Sequence, residues 1–177
     1  MARIDDFKAN LIGGGYRVNQ FRVTITPPPG IAIGLDVRRT SFLCKATTLP
    51  AVELQPITLK YRGRSVIIAG DRETTGTWST TFYMDTDFMI MNALQRWSNG
   101  INDFDLNTGV ASLSDYATDL TAEMLDRDDT VLKTYIFKNA WPITVGGFSM
   151  NTEEASDIAK FQCTWKYQNY SISGVNF

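Results

Sequence analysis

The sequence has 177 residues, 44% of them hydrophobic and 20% charged, with a formal net charge of -2. That length suits one domain with a sizeable core, and the near-neutral balance gives no argument for a phosphate-binding surface. There is no histidine and there are two cysteines, Cys44 and Cys163. Histidine-dependent triads, histidine-ligated zinc, cysteine-only zinc sites and iron–sulfur clusters are therefore all excluded.

No apolar run reaches the ~18 residues of a membrane-spanning helix. The opening MARIDDFKANL carries Asp5 and Asp6 where a signal peptide is apolar. The expectation is a soluble, non-enzymatic protein from a reducing compartment, with no membrane anchor and no cofactor.

Gly13, Gly14 and Gly15 free the backbone before the first strand. In QFRVTIT, Phe21, Val23 and Ile25 face one side and Arg22, Thr24 and Thr26 the other, which is the pattern of a half-buried strand. Pro27, Pro28, Pro29 and Gly30 end it. The stretch from Val37 to Arg72 reads as short β-type runs cut by Pro50, Pro56 and Gly63, and TLKYRGRSVIIAG as a hairpin with Arg62-Gly63-Arg64 at its tip. In TTGTWSTTFYMD, Trp78, Thr80 and Phe82 share one face and Thr77, Ser79, Thr81 and Tyr83 the other.

One helix is expected next. Asp85 or Thr86 caps it, Phe88, Met91, Leu94 and Arg96 or Trp97 recur at helical spacing, and Asn99-Gly100 stops it. NDFDLNTGVASLSDYATD reads as a polar loop. LTAEMLD, KTYIFKNAWPITVG and ASDIAKFQCTWKYQNYSI supply the remaining strands. The fold class is mainly β: an antiparallel β-barrel or sandwich of about seven strands with one flanking α-helix.

The chemical motifs resolve toward structural readings. The glycine triplet precedes a strand rather than a helix and lacks the Lys-Ser/Thr of a phosphate loop. The loop Asp103-Phe104-Asp105-Leu106-Asn107 copies the first oxygen positions of a calcium loop. It has Thr108 where the turn glycine belongs and Ser114 where the bidentate glutamate belongs. The acid pairs Asp85/Asp87, Asp128/Asp129 and Glu153/Glu154 sit at strand ends and turns, where acids are ordinary. Cys44 and Cys163 lie in apolar strands and read as buried free thiols. KYRGR and TWKYQ interleave aromatic and basic residues as oligonucleotide-binding surfaces do, but acids outnumber bases, 19 to 17.

Charge is nevertheless segregated along the chain. Residues 36–72 hold the bases Arg38, Arg39, Lys45, Lys60, Arg62, Arg64 and Arg72, and residues 115–129 hold the acids Asp115, Asp119, Glu123, Asp126, Asp128 and Asp129. Two complementary patches on one subunit are what head-to-tail self-association uses.

Three stretches carry a family resemblance. Phe42-Leu43-Cys44-Lys45-Ala46-Thr47-Thr48-Leu49-Pro50-Ala51, then Ala69-Gly70-Asp71-Arg72 with Thr77-Trp78-Ser79-Thr80-Thr81-Phe82, and then Lys138-Asn139-Ala140-Trp141-Pro142-Ile143-Thr144-Val145-Gly146 occur in order. Together they resemble the tail tube proteins of T-even-like, contractile-tailed bacteriophages. The likeness runs from about residue 19 to 170, and the PPPGIAIGLDVRR insertion and the tail SISGVNF depart from it.

The resemblance implies a fold shared with pyocin and type VI secretion tubes. It also implies a virion protein whose hexameric rings stack into a hollow tube, assembled in the host cytoplasm with sheath, baseplate and tape-measure proteins as partners. DNA is then passing cargo. A baseplate-end initiator or tail terminator of the same fold is the alternative, followed by an oligonucleotide-binding module.

Residues 1–177 are then one domain with an N-terminal arm at about 1–18, an inter-ring arm at about 47–64 and a C-terminal tail at about 171–177. The interface candidates are Thr47, Leu49, Pro50, Val52, Leu54, Ile57, Leu59, Tyr61, Arg62 and Arg64, with Asp128 and Asp129 opposite. A conduit must not hold its cargo, so the lumen candidates are hydroxyls and acids: Ser79, Thr81, Asp85, Asp119, Thr121 and Glu123.

Overall fold

The computed structural model describes residues 3–153 and 156–175. Glu154 of one acid pair and the ends of both predicted arms, residues 1–2 and 176–177, lie outside them. Trp78 on strand β5 (Gly76–Tyr83) lies at the centre. It stacks on Phe137 of strand β7 (Val131–Val145) at 4.3 Å between ring centroids, and both are fully buried. These two aromatics join two four-stranded lobes.

The first lobe is β1 (Phe21–Thr24), β6 (Thr118–Leu125), the first half of β7 and β9 (Asn169–Gly174). The second is β2 (Cys44–Thr48), β5, β8 (Lys160–Tyr167) and the second half of β7. All pairings are antiparallel, and the seven strands form one sheet of order β1-β6-β7-β8-β5-β2 with β9 on β7. The path ends at β1 and β2, which do not pair. Of the expected barrel or sandwich, the fold is therefore the open sandwich, with a seam between its two end strands.

β7 changes partners where its backbone bends. Asn139 takes a left-handed φ of 50°, and its N–H donates to Asp119 Oδ1 at 3.0 Å. Pro142 is buried opposite Trp165 at a register shift, where its missing N–H costs no regular ladder bond. Trp141-Pro142 therefore sits within the strand that KTYIFKNAWPITVG was expected to form.

The alternation read from sequence holds in β5 and β8: Trp78, Thr80, Phe82, Phe161, Cys163, Trp165 and Tyr167 all point inward. Polar groups that enter this core are matched: Trp165 Nε1 donates to Thr80 Oγ1 at 2.9 Å and Trp78 Nε1 to Thr47 Oγ1 at 2.7 Å.

The helical content exceeds the single helix expected. α1 (Ile4–Asn10) and a short 3-10 turn precede β1, α2 (Val37–Leu43) precedes β2, α3 (Met89–Ile101) is the predicted helix, and α4 (Leu113–Tyr116) lies in the predicted polar loop. α2 replaces a predicted β run because Asp36 caps it, accepting from the Arg39 N–H at 3.1 Å.

α3 is capped differently from expectation. Phe88 occupies the N-cap position in a left-handed conformation, and it is the Asp87 carboxylate that accepts from the Met89 N–H. The helix runs one residue past Gly100. It buries Ile90, Ala93, Leu94 and Trp97, and Trp97 Nε1 donates to the Tyr116 carbonyl at 2.7 Å. The insertion after the proline triplet also enters the core. Ile33 is buried and its carbonyl is gripped by Nε and Nη2 of Arg96, at 2.9 and 2.6 Å.

The C-terminal stretch read as one strand is two. β8 ends at Tyr167, and Ser171–Gly174, predicted as free tail, belongs to β9 on the edge of the first lobe.

Candidate assembly surfaces

Strands β3 (Leu54–Tyr61) and β4 (Arg64–Arg72) form the predicted hairpin, and among the described residues they pair only with each other. Arg64 of the expected three-residue tip is already in β4, and the tip is a two-residue turn, Arg62 at φ 47° and Gly63 at φ 81°. Both residues are left-handed, as the turn that matches strand twist requires. At ~3.3 Å per residue the eight residues of β3 extend about 26 Å.

The register gives this arm two unlike faces. Ile57 lies opposite Ile68, Leu59 opposite Val66, and Tyr61 opposite Arg64, so these six share one face. Thr58, Lys60, Ser65 and Ile67 lie on the other. On the first face Ile57, Leu59, Val66 and Ile68 are 45–51% exposed, and Tyr61 is 65% exposed. A ribbon with an uncovered aliphatic face costs hydration free energy until something covers it.

The interface candidates therefore divide. Leu54, Ile57, Leu59, Tyr61, Arg62 and Arg64 belong to the arm, while Leu49, Pro50 and Val52 belong to the irregular link at its root. Thr47 belongs to neither. It lies in β2, where it holds the Trp78 indole and donates to the Ser79 carbonyl at 3.2 Å. The hairpin itself runs from Leu54 to Arg72, overlapping the segment 47–64 expected as an inter-ring arm.

The seam between β1 and β2 is an apolar groove of about 410 Å³. Its walls include Tyr16, Val18, Phe21, Leu49, Ala122 and Met124, with Lys45 and Glu123 at its margins. Just beyond Met124, β6 gives way to the turn that carries Asp126, Asp128 and Asp129. Asp129 takes a φ of 63°, and the Asp128 carboxylate accepts from the Thr130 N–H at 3.1 Å; the Thr130 hydroxyl first and this N–H second hold its pKa below the usual range. The acidic segment thus ends in an exposed, internally hydrogen-bonded acidic turn. The basic segment is dispersed by comparison, and its compact remnant is the arm tip, Lys60, Arg62 and Arg64.

The lumen candidates fall on both lobes. Ser79 and Thr81 point outward from β5, in the second lobe, whereas Asp119, Thr121 and Glu123 point outward from β6, in the first. These two outward faces lie on opposite sides of the Trp78–Phe137 core, so one channel wall cannot contain both sets. Asp119 is engaged at the β7 bend, and Glu123 pairs with Arg22 at 3.5 Å.

Asp85 is not on an open face. Its Oδ2 is buried without a well-aligned hydrogen bond, but it makes a charge contact with Nη2 of Arg39 at 2.7 Å, while Nη1 reaches Asp87 at 2.7 Å. That guanidinium holds the Asp87 carboxyl below the usual carboxylate range.

On the second lobe, register places Thr48 beside Ser79, Ser79 beside Thr164, and Thr164 beside Thr144. This uninterrupted row of hydroxyls crosses all four strands. Single-strand alternation identified Ser79 alone, because pairing partners are not visible in one sequence.

Neither cysteine is chemically poised. Burial pushes the Cys44 thiol up to about 12 and Cys163 higher still. Among the described residues no group of three or more potential metal ligands comes together. The Asp103 loop is tied by its own Asx turns, Oδ1 accepting from the Asp105 and Leu106 N–H groups at 2.9 and 3.0 Å.

The fold is an open β-sandwich with a projecting hairpin and an apolar seam. The chain belongs to the phage tail tube protein family, whose model matches residues 16–173. The tail tube protein of Serratia phage KSP90 is 28% identical to it over 169 residues, covering 94% of this chain and 95% of the relative. Tail tube protein gp19 of Enterobacteria phage T4 is 26% identical over 91% of this chain and 94% of the relative.

Among solved structures, the sheath–tube complex of the extracellular contractile injection system PVC aligns with a TM-score of 0.59 at 16% identity, covering 99% of this chain and 100% of that one. The same system's sheath/tube terminator aligns with a TM-score of 0.64 at 15% identity, covering 92% and 99%. At these identities the structural likeness is one of fold.

Proposed function

We propose that this protein is the repeating subunit of an inner tail tube. Copies close into hexameric rings, and the rings stack into a hollow tube that a contracting sheath drives through the host envelope. Tube and sheath share a baseplate, and DNA passes down the lumen, which a tape-measure protein fills beforehand. Assembly takes place in the host cytoplasm. The mechanism is association and passive conduction, without catalysis.

The observation that carries this reading is the arm: a hairpin anchored in the subunit, about 26 Å long by strand rise, whose aliphatic face has no cover in its own fold. The open ends of the sheet support it as well, since exposed strand edges that would invite aggregation become specific contacts in a closed assembly. For the channel wall we favour the hydroxyl row Thr48-Ser79-Thr164-Thr144, because uncharged groups release no counterions from DNA and so do not hold it.

Deleting residues 50–56 tests the reading by sedimentation. The intact protein forms species far larger than a single ring, and the deletion variant is limited to small oligomers. Unchanged assembly by the variant would refute the role of the arm. Intact protein that stops at one ring would point to the terminator or initiator instead.

A further inference from the structure

We infer that Tyr170, braced by Tyr167, is the positioning residue that fixes the direction in which the β3–β4 arm leaves its own sandwich. This rests on the tube reading above, since a repeating assembly needs every copy to hold its arm at one angle.

Two irregular links, residues 49–53 and 73–75, join the arm to the body. A ribbon hung on two such links bends readily out of its own plane. Over about 26 Å of strand, a swing of about 10° at the root moves the tip by roughly 4–5 Å. A gap of about 0.5–1 Å already forfeits a quarter to a half of a van der Waals contact. The base of the arm resists bending, because a β-carbon at Gly70 would stand 2.7 Å from both the Gln55 carbonyl oxygen and Ile57 Cγ1. Motion therefore concentrates in the links.

Each link meets a tyrosine. On the outgoing link, the Tyr170 hydroxyl donates to the Ala51 carbonyl at 3.4 Å, across 119 positions of sequence. The return link enters β5 at Gly76, where a β-carbon would stand 2.5 Å from the Tyr167 hydroxyl. The two rings meet edge to face, 5.9 Å between centroids at 86°.

Residues three apart on a straight strand point to opposite faces. Tyr167 and Tyr170 converge because the chain bends at Gln168, whose N–H donates to the Lys138 carbonyl at 3.1 Å. The pair is anchored from behind. Tyr167 is buried against Phe137 at 5.1 Å, and Tyr170 stacks on Tyr135 at 6.4 Å. The root of the arm is thus tied through two aromatic rings to the centre of the core.

Distances between spin labels in the full-length, unassembled subunit test the inference. The labels sit at Thr58→Cys, on the polar face of the arm, and at Asp105→Cys, in the loop tied by Asx turns, with Cys44→Ser throughout. The labelled parent should give one narrow distance distribution. Tyr170→Ala should widen it roughly twofold or more, and Tyr170→Phe, which keeps the ring and loses the hydroxyl, should fall between. Thr80→Val weakens the core without touching either link and should leave the width unchanged.

A parent distribution already broad, a Tyr170→Ala distribution as narrow as the parent's, or equal widening by Thr80→Val would overturn the inference. Without labels, Tyr170→Ala should also slow assembly about fivefold in light scattering, at temperatures where thermal unfolding shows it folded. Assembly at the wild-type rate from subunits with loosened arms would overturn the role given to arm direction and leave the tube reading standing. Wild-type protein that never assembles would overturn the tube reading, while the label distances still decide what holds the arm.

Discussion

Thr80→Val isolates one hydrogen bond in the centre of the core. Thr80 and Trp165 are both fully buried, and the indole Nε1–H donates to Thr80 Oγ1 at 2.9 Å. Valine keeps the branched shape and removes the acceptor, so the indole N–H is left buried and unpaired. Such a group costs about 1–3 kcal/mol. For a domain of this size each kcal/mol moves the midpoint by about 2–4 °C, so Tm should fall by about 2–12 °C.

Thr80→Ser keeps the acceptor and loses a methyl group, at about 1 kcal/mol. Thr47→Val also strips an indole of its acceptor. Thr47 is only partly buried, however, so water can replace the hydroxyl and the cost should be the smallest of the three. The assay is thermal unfolding followed by tryptophan fluorescence, at protein concentrations below assembly so that association does not raise the midpoint. Equal stability of Thr80→Val and wild type, or a larger loss from Thr80→Ser than from Thr80→Val, would refute the reasoning.

Three further outcomes are expected. The Asp87 carboxyl is depressed from 3.8, chiefly by its bond to Arg39. Its stabilisation is complete above 3.8 and is lost as pH falls through the lower folded value; in NMR titrations Arg39→Gln should move the Asp87 transition upward, toward 3.8. Cys163 should resist aromatic disulfide reagents at pH 8 in the folded subunit and react in denaturant, while the half-buried Cys44 should react more slowly than a free thiol; fast native-state labelling of Cys163 would contradict its burial.

Reversing Arg62 and Arg64 to Glu should slow assembly several-fold in low salt, and adding Asp128→Lys with Asp129→Lys should partly restore the rate. At about 0.5 M salt, where the screening length is well under 10 Å, the difference should vanish. Light-scattering kinetics measure both, and an unchanged rate for the first reversal would show that tip and turn do not meet.

The sequence shows some of this architecture directly, and the reason is local. Trp78, Thr80 and Phe82 alternate with polar residues, so the strand face follows from period alone; the spacing of Phe88, Met91, Leu94 and Trp97 also showed helix α3, although its buried stripe is Ile90, Ala93, Leu94 and Trp97 and Phe88 is its N-cap. The arm tip was equally legible, because Arg62-Gly63 between two β runs permits the left-handed pair a tight hairpin needs.

What escaped depends on partners far away in the chain. Val37, Thr40 and Phe42 favour strands, yet Asp36 capping tips Val37–Leu43 into a helix; the aspartate just before the run was the available signal. The division of β7 between two lobes at Asn139 depends on Asp119, twenty residues earlier. Alternation also gave the outward positions of β5 and β6 correctly without revealing that those two faces turn away from each other, which is why Ser79 and Glu123 were grouped.

The central claim is that this chain builds an open-ended hollow tube, and cryo-electron microscopy of the concentrated purified protein tests it most directly. The account predicts tubes of no fixed length, six subunits per ring, a continuous channel and every arm buried against another copy. Monomers at high concentration, isolated rings that never stack, or filaments without a channel would contradict it.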